Sequence, residues 1–145
     1  MRVPLISALW VALLLLAGPL RAEQAQTFDQ YEIHYNAFNS TFLPPEVAVA
    51  YNLQRSKYGG VINVAVLDDS EGKRPTSAQV SGSLKNLIGQ RQELSFREIR
   101  EGNAIYYISA FRFTHDEQLQ FSLDVKPDRN KPAYSISFKQ HFYAD

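Results

Sequence analysis

The sequence contains no cysteine in its 145 residues. Disulfides, thiol nucleophiles, disulfide exchange and cysteine-based metal sites are therefore excluded. It has one tryptophan and one methionine, Trp10 and Met1, both close to the N-terminus. It has no excess of either charge, with 15 Lys+Arg against 15 Asp+Glu. No basic stripe is visible either, so nothing predicts general attraction to nucleic acid or to an anionic membrane surface. No G-x-S-x-G elbow is present, and no H-x-H or H-E-x-x-H string marks a metal site. Internal repeats, low-complexity tracts and linkers long enough to divide domains are also missing.

The longest apolar run lies at the start. Arg2 forms a short positive segment, Leu5 to Ala17 is apolar and uncharged, and Gly18-Pro19 breaks any helix before Leu20-Arg21-Ala22. This is the order of a secretory signal peptide, and it is shorter than the roughly 20 residues of a spanning helix. We expect a signal peptide over 1–22, cleaved after Ala22, and one β-sandwich domain over 23–145. No cysteine follows the leader to carry a lipid anchor, and no transmembrane segment is expected after cleavage. The mature chain keeps 123 of the 145 residues. Arg2 and Arg21 leave with the leader, so 13 cations face 15 acidic residues, a net charge of −2. Without cysteine, tryptophan or methionine, its stability must rest on aliphatic residues and on its 8 Tyr and 9 Phe.

What the mature chain does have is a period of two. Leu119, Phe121, Leu123 and Val125 alternate with polar residues, as do Tyr134, Ile136, Phe138 and Phe142. Successive strand side chains point to opposite faces, so each segment has one buried and one wet face. Phe28 to Phe38 reads the same way, with Tyr31, Ile33 and Tyr35 inward and Glu32, His34 and Asn36 outward. Val61 to Leu67 and Ala104 to Phe113 are apolar on both sides and belong inside a sheet. Ser77 to Asn86 and Gln92 to Arg100 complete about seven strands. Glu101-Gly102-Asn103, Thr114 to Glu117 and Pro127 to Pro132 supply turns. The last four strands should form a meander. Pro44-Pro45-Glu46 opens one short helix after the first strand, with Val47, Ala50 and Tyr51 on one face. We place it as a plug over one end. The pattern predicts an all-β, antiparallel, immunoglobulin-like sandwich, with a barrel as the alternative.

Four strings stand out: H-Y-N-A-F-N (34–39), L-P-P-E-V-A (43–48), F-R-E-I-R-E-G-N-A-I-Y-Y (96–107) and S-F-K-Q-H-F-Y (137–143). Together they resemble a bacterial family of exported proteins known as domain-of-unknown-function family 4426. The resemblance runs from about Phe28 to Tyr143. It implies a periplasmic location in Gram-negative bacteria and a β-rich fold. It implies no activity, and so no catalytic residues and no cofactor.

The sharpest chemical candidate is a pair of histidines, His34 on the first strand and His141 on the last. If those strands are neighbours, the two could share a metal ion, with His115, Asp116 or Glu32 as third ligand. The ordinary reading is exposed histidines with no joint role. A polar patch of His34, Asn36 and Asn39 is the first place to expect a ligand or partner. Its ordinary reading is a wet strand face, ended by Asn39, Ser40 and Thr41 bonding nearby backbone. Ser81-Gly82-Ser83 has no adjacent base and reads as a bulge or a close approach. Glu98 and Glu101 face different ways, so no carboxylate pair is indicated. Elimination leaves an exported, non-catalytic binding or adaptor module for an envelope or periplasmic protein or a small ligand. Metal binding through His34 and His141 is the alternative, and an enzyme with a non-obvious site the third reading.

Overall fold

Alternating residues do form strands in the computed structural model, which describes residues 24–144. The expected signal peptide lies outside the described residues. Among the described residues there are ten strands: β1 (Gln24–Phe28), β2 (Tyr31–Asn39), β3 (Gly59–Asp68), β4 (Arg74–Pro75), β5 (Gln79–Asn86), β6 (Arg91–Leu94), β7 (Arg97–Glu101), β8 (Ala104–Arg112), β9 (Glu117–Lys126) and β10 (Tyr134–Phe142). One sheet has the order β1-β2-β3-β8-β7, with β4 also paired to β3; the other has the order β10-β9-β5-β6. All pairings between these strands are antiparallel. The architecture is an all-β sandwich.

The strand count exceeds seven because the chain turns where the pattern runs on. Asp29 takes a left-handed φ of 53° and folds β1 back on β2. Gln92 to Arg100 is two strands in different sheets. At the break, Ser95 N–H leaves the ladder and donates to the Ser109 hydroxyl at 2.9 Å. The last strands are correspondingly not one meander. β7 and β8 form a hairpin in the first sheet, and β9 and β10 form one in the second.

The inner faces enclose one aromatic-rich core. Ile33, Tyr35, Val64, Tyr107 and Phe111 come from the first sheet, and Leu84, Phe121, Leu123 and Ile136 from the second. β3 and β8, read as buried on both faces, are central strands. Their outer faces feed a second, smaller core. The helix α1 (Pro45–Ala50) lies over Phe38, Val61 and Tyr106, burying Val47 and Ala48 there. The helix is thus a lid on the outer face of the first sheet, not a plug over one end. It has only six residues, and packing must hold it, because such a short helix is not stable alone. Gly82 marks a close approach, as expected: a Cβ there would sit 2.5 Å from the Ser122 carbonyl oxygen.

Candidate functional site

Four surface regions carry chemistry. The first is the outer face of β2. Glu32 and His34 are two apart, so both point to that face, and the His34 Nε2 lies 2.5 Å from Glu32 Oε1. Lys73, from the loop before β4, reaches the other Glu32 oxygen at 3.1 Å. The hydrogen bond from Lys73, and then that from His34, hold the Glu32 carboxyl below its ordinary pKa. Asn36 follows on the same face, in register with Asn63 of β3. The buried Oδ1 of Asn63 has no hydrogen-bond donor among the described residues. Asn39 has the opposite parity. Its Nδ2 donates to the Tyr143 carbonyl at 2.7 Å and ties β2 to the C-terminal segment. The expected patch is therefore divided: His34 and Asn36 lie together, while Asn39 is used as a structural tie.

The lowered Glu32 pKa has a sign. A depressed folded pKa stabilises the fold above the unfolded value, and the contribution fades as pH falls through the folded one. Glu32 therefore contributes in full at neutral pH, begins to lose that contribution as the pH falls below the unfolded value of about 4.3, and has lost it once the pH is below the lowered folded value. The Lys73–Glu32 pair is surface-lying, so its worth is a few tenths of a kcal/mol. Lys73→Ala is expected to move the Glu32 midpoint upward, read by NMR titration of its side-chain carboxyl carbon. An unmoved midpoint would assign the lowering to His34 alone.

The second region is the corner around Tyr143. His141 Nε2 lies 2.5 Å from Asp116 Oδ1, and the His141 ring packs against Tyr143 at 4.7 Å. His115 sits near the same ring at 6.1 Å. Its Nδ1 accepts the Ala144 N–H at 3.0 Å, which puts its proton on Nε2. So His141 bonds Asp116, and both His141 and His115 lie against the Tyr143 ring, while His34 bonds Glu32 instead. β2 and β10 belong to different sheets. His34 and His141 each alternate with inward-facing core residues, Ile33 and Tyr35 in one case, Phe142 in the other. They therefore stand on opposite outer faces of sheets that pack about 10 Å apart. Among the described residues, no group of three or more His, Asp or Glu is placed to hold a metal ion.

The third region is the set of strand edges. β7 has five residues and carries Arg97, Glu98, Arg100 and Glu101. β6 has four residues, two of them charged. β1 has five residues. Short length and charge both discourage pairing with another chain. β10 differs. Its nine residues pair with β9 in an unbroken register from Tyr134↔Val125 to Phe142↔Glu117, with no bulge. It has no proline, and Lys139 is its one fully charged side chain. Alternate residues of such a strand turn N–H and C=O away from their partner. Among the described residues, no hydrogen bond outside its β9 ladder reaches the β10 backbone. Its ends are fixed. Tyr134 stacks on Phe28 at 4.8 Å and donates to Asp29 at 2.6 Å, which pushes its pKa up to about 12. Gln140 donates across the sandwich to the Ala37 carbonyl at 2.7 Å.

The fourth is a groove of about 430 Å³ at one end, between the β5–β6 hairpin and the end of β8. Leu84, Phe113 and Leu119 lie beneath it and Tyr58 at its side; Arg91 and Arg112 are at its rim. Sequence reasoning missed it, as it missed Lys73 and Asn63. No local signal could have shown it, because its walls come from strands of different sheets.

Comparison with known proteins agrees with this architecture. Among curated proteins none matches the sequence. A crystal structure of a DUF4426 family protein from Pseudomonas aeruginosa PAO1 is 41% identical, with a TM-score of 0.73, over 85% of this chain and 96% of that one. FetP of uropathogenic Escherichia coli strain F11, expressed recombinantly in the periplasm, shares the fold at 12% identity. Its TM-score is 0.58 over 84% of this chain and 94% of that one. A copper-bound variant of FetP gives 12% and 0.59, over 85% and 96%. The sequence pattern of the domain of unknown function DUF4426 matches residues 25–145. With nearly the whole described sandwich inside that match, the chain belongs to the DUF4426 family.

Proposed function

We propose that this is an exported, non-catalytic binding module of the periplasm, which takes up an extended segment of an envelope or periplasmic protein as an extra strand beside β10. The observation that carries the reading is the nine-residue β10 edge, regular and nearly uncharged where the other three edges are short or charged. Strand addition draws its affinity from main-chain hydrogen bonds and its specificity from alternate side chains. A regular edge with no ladder partner on one side among the described residues is a hazard that proteins ordinarily blunt, and a bound segment removes it. The apolar leader supports export. No helix among the described residues is long and apolar enough to cross a membrane. The FetP neighbour was itself produced in the periplasm. The opposite placement of His34 and His141 gives no support to a shared metal ion.

The test is site-specific photo-crosslinking in living cells. A benzophenone side chain at Ser137, exposed on β10, is expected to capture a discrete partner band. The same group at Glu98 on β7 is expected to give only background. Equal labelling from both edges, or none from β10, would remove strand addition as the binding mode.

A further inference from the structure

The end groove is built as a receptor, and its polar groups divide into those used for construction and those left over. Gln92 closes one wall. Its side-chain amide donates to the Arg112 carbonyl at 2.7 Å and accepts the Arg112 N–H at 2.9 Å. It thereby copies a strand pairing between two sheets. Phe113 N–H donates to the Tyr58 carbonyl at 3.0 Å and holds the second wall. Asn86 locks the hairpin above: its Oδ1 accepts the Gln90 N–H at 2.8 Å, and its Nδ2 donates to Glu117 at 3.1 Å. The other Glu117 oxygen accepts the Thr114 N–H at 2.9 Å. Both carboxylate oxygens of the one acid in the lining are thus occupied by the wall.

The cations are not so occupied. Arg91 binds Glu93 through Nε alone, at 2.9 Å. The Arg112 guanidinium makes no hydrogen bond or ion pair among the described residues, its backbone alone being used by Gln92. Lys57 stands over the Tyr58 ring, 5.6 Å from its centroid. Below these charges the groove is floored by the edge of the core, Leu84, Phe113 and Leu119, with the half-exposed Tyr58 ring beside it. Leu87 and Ile88, at the tip of the hairpin whose Asn86 and Gln90 line the groove, are 81% and 80% exposed. The volume falls in the range of small-ligand sites, roughly 300–1,000 Å³. Planar guanidinium forks match carboxylates in geometry and charge.

We infer that this groove binds a small amphipathic carboxylate, its anionic head held at the rim by Arg112 and Arg91 and its apolar body lying on Phe113, Leu84 and Leu119. No residue of β10 lines the groove, so this site is independent of the strand-addition reading and stands or falls separately.

Octanoate is a suitable probe, with octanol as its uncharged counterpart, both followed by amide NMR on the exported protein. Octanoate is expected to give saturable shifts at Phe113, Gln92, Asn86 and Leu119. Octanol should bind at least tenfold more weakly. Arg112→Gln is expected to weaken octanoate at least tenfold. Its fold should survive, since no described residue bonds to the guanidinium, and an unchanged amide spectrum elsewhere checks this. Equal binding of octanoate and octanol would overturn the inference. So would octanoate binding unaffected by Arg112→Gln, shifts confined to other surfaces, or no binding at about 10 mM probe, a ceiling set by the millimolar end of the affinity scale.

Discussion

Phe121→Ala is expected to lower the free energy of unfolding by about 3–5 kcal/mol, the range for removing a buried phenylalanine. Phe121 sits mid-way along β9, a strand flanked by β10 and β5, and is 0% exposed. It stacks on Phe138 at 4.7 Å with the rings 7° apart. It also meets the Phe111 ring edge-on at 5.2 Å and Phe142 at 6.1 Å. The ring therefore joins both sheets. Its loss removes apolar burial and two favourable aromatic geometries at once, and leaves a cavity whose walls, being strands held by ladders, collapse poorly. A domain of this size is ordinarily stable by only about 5–15 kcal/mol, so the variant should unfold at much lower urea. Phe42→Ala is the control: Phe42 is 43% exposed and should shift the midpoint little. A Phe121→Ala loss below about 1 kcal/mol, the centre of ordinary point mutants, would show that the core is not organised around this ring.

The local faces of β9, β10, β3 and β8 were legible because side-chain parity is written residue by residue. Phe121 inward and Ser122 outward follow from alternation alone, as does the double burial of Val61 to Leu67. Which sheet a strand joins is not written that way. β6 and β7 read as one strand, since the alternation hardly breaks at Ser95 and Phe96. Only the distant Ser109 hydroxyl, taking the Ser95 N–H, makes the switch between sheets. The helix shows the same limit. Its existence followed from Pro44-Pro45-Glu46, but its place depended on apolar outer faces of β3 and β8 that the chain reaches only by folding. At the candidate sites, parity correctly paired Glu32 with His34 and Asn36. It could not tell that Asn39 would be claimed by Tyr143, 104 residues later. Arg112 and Gln92 carried no signal at all, being twenty residues apart on strands of different sheets.

Gly60→Ala should be destabilising by about 1–3 kcal/mol, the usual range for forcing a methyl group into a filled core. The direction is informative, because Gly→Ala at an ordinary backbone position stabilises by about 0.4–1 kcal/mol through the unfolded chain. Gly60 is not among the glycines with positive φ, so its backbone gives no reason to prefer glycine. The reason is across the strand. Gly60 of β3 pairs with Phe111 of β8, and the far end of that ring occupies the space a side chain would take. A Cβ at Gly60 would fall 2.2 Å from Phe111 Cζ and 2.4 Å from Cε1. The ring cannot readily swing aside. It is held edge-on by Phe121 at 5.2 Å and by Phe142 at 5.3 Å, so a push at Gly60 reaches the cluster that joins the two sheets. A double-mutant cycle with Phe111→Leu separates this packing from any backbone effect. In the leucine background most of the Gly60→Ala penalty should vanish, since the clashing ring is gone, while Phe111→Leu alone still carries its own cavity cost. Strict additivity of the two changes in urea midpoint, or a stabilising Gly60→Ala, would mean that the ring does not rest on Gly60 and that β3 and β8 are spaced by something else.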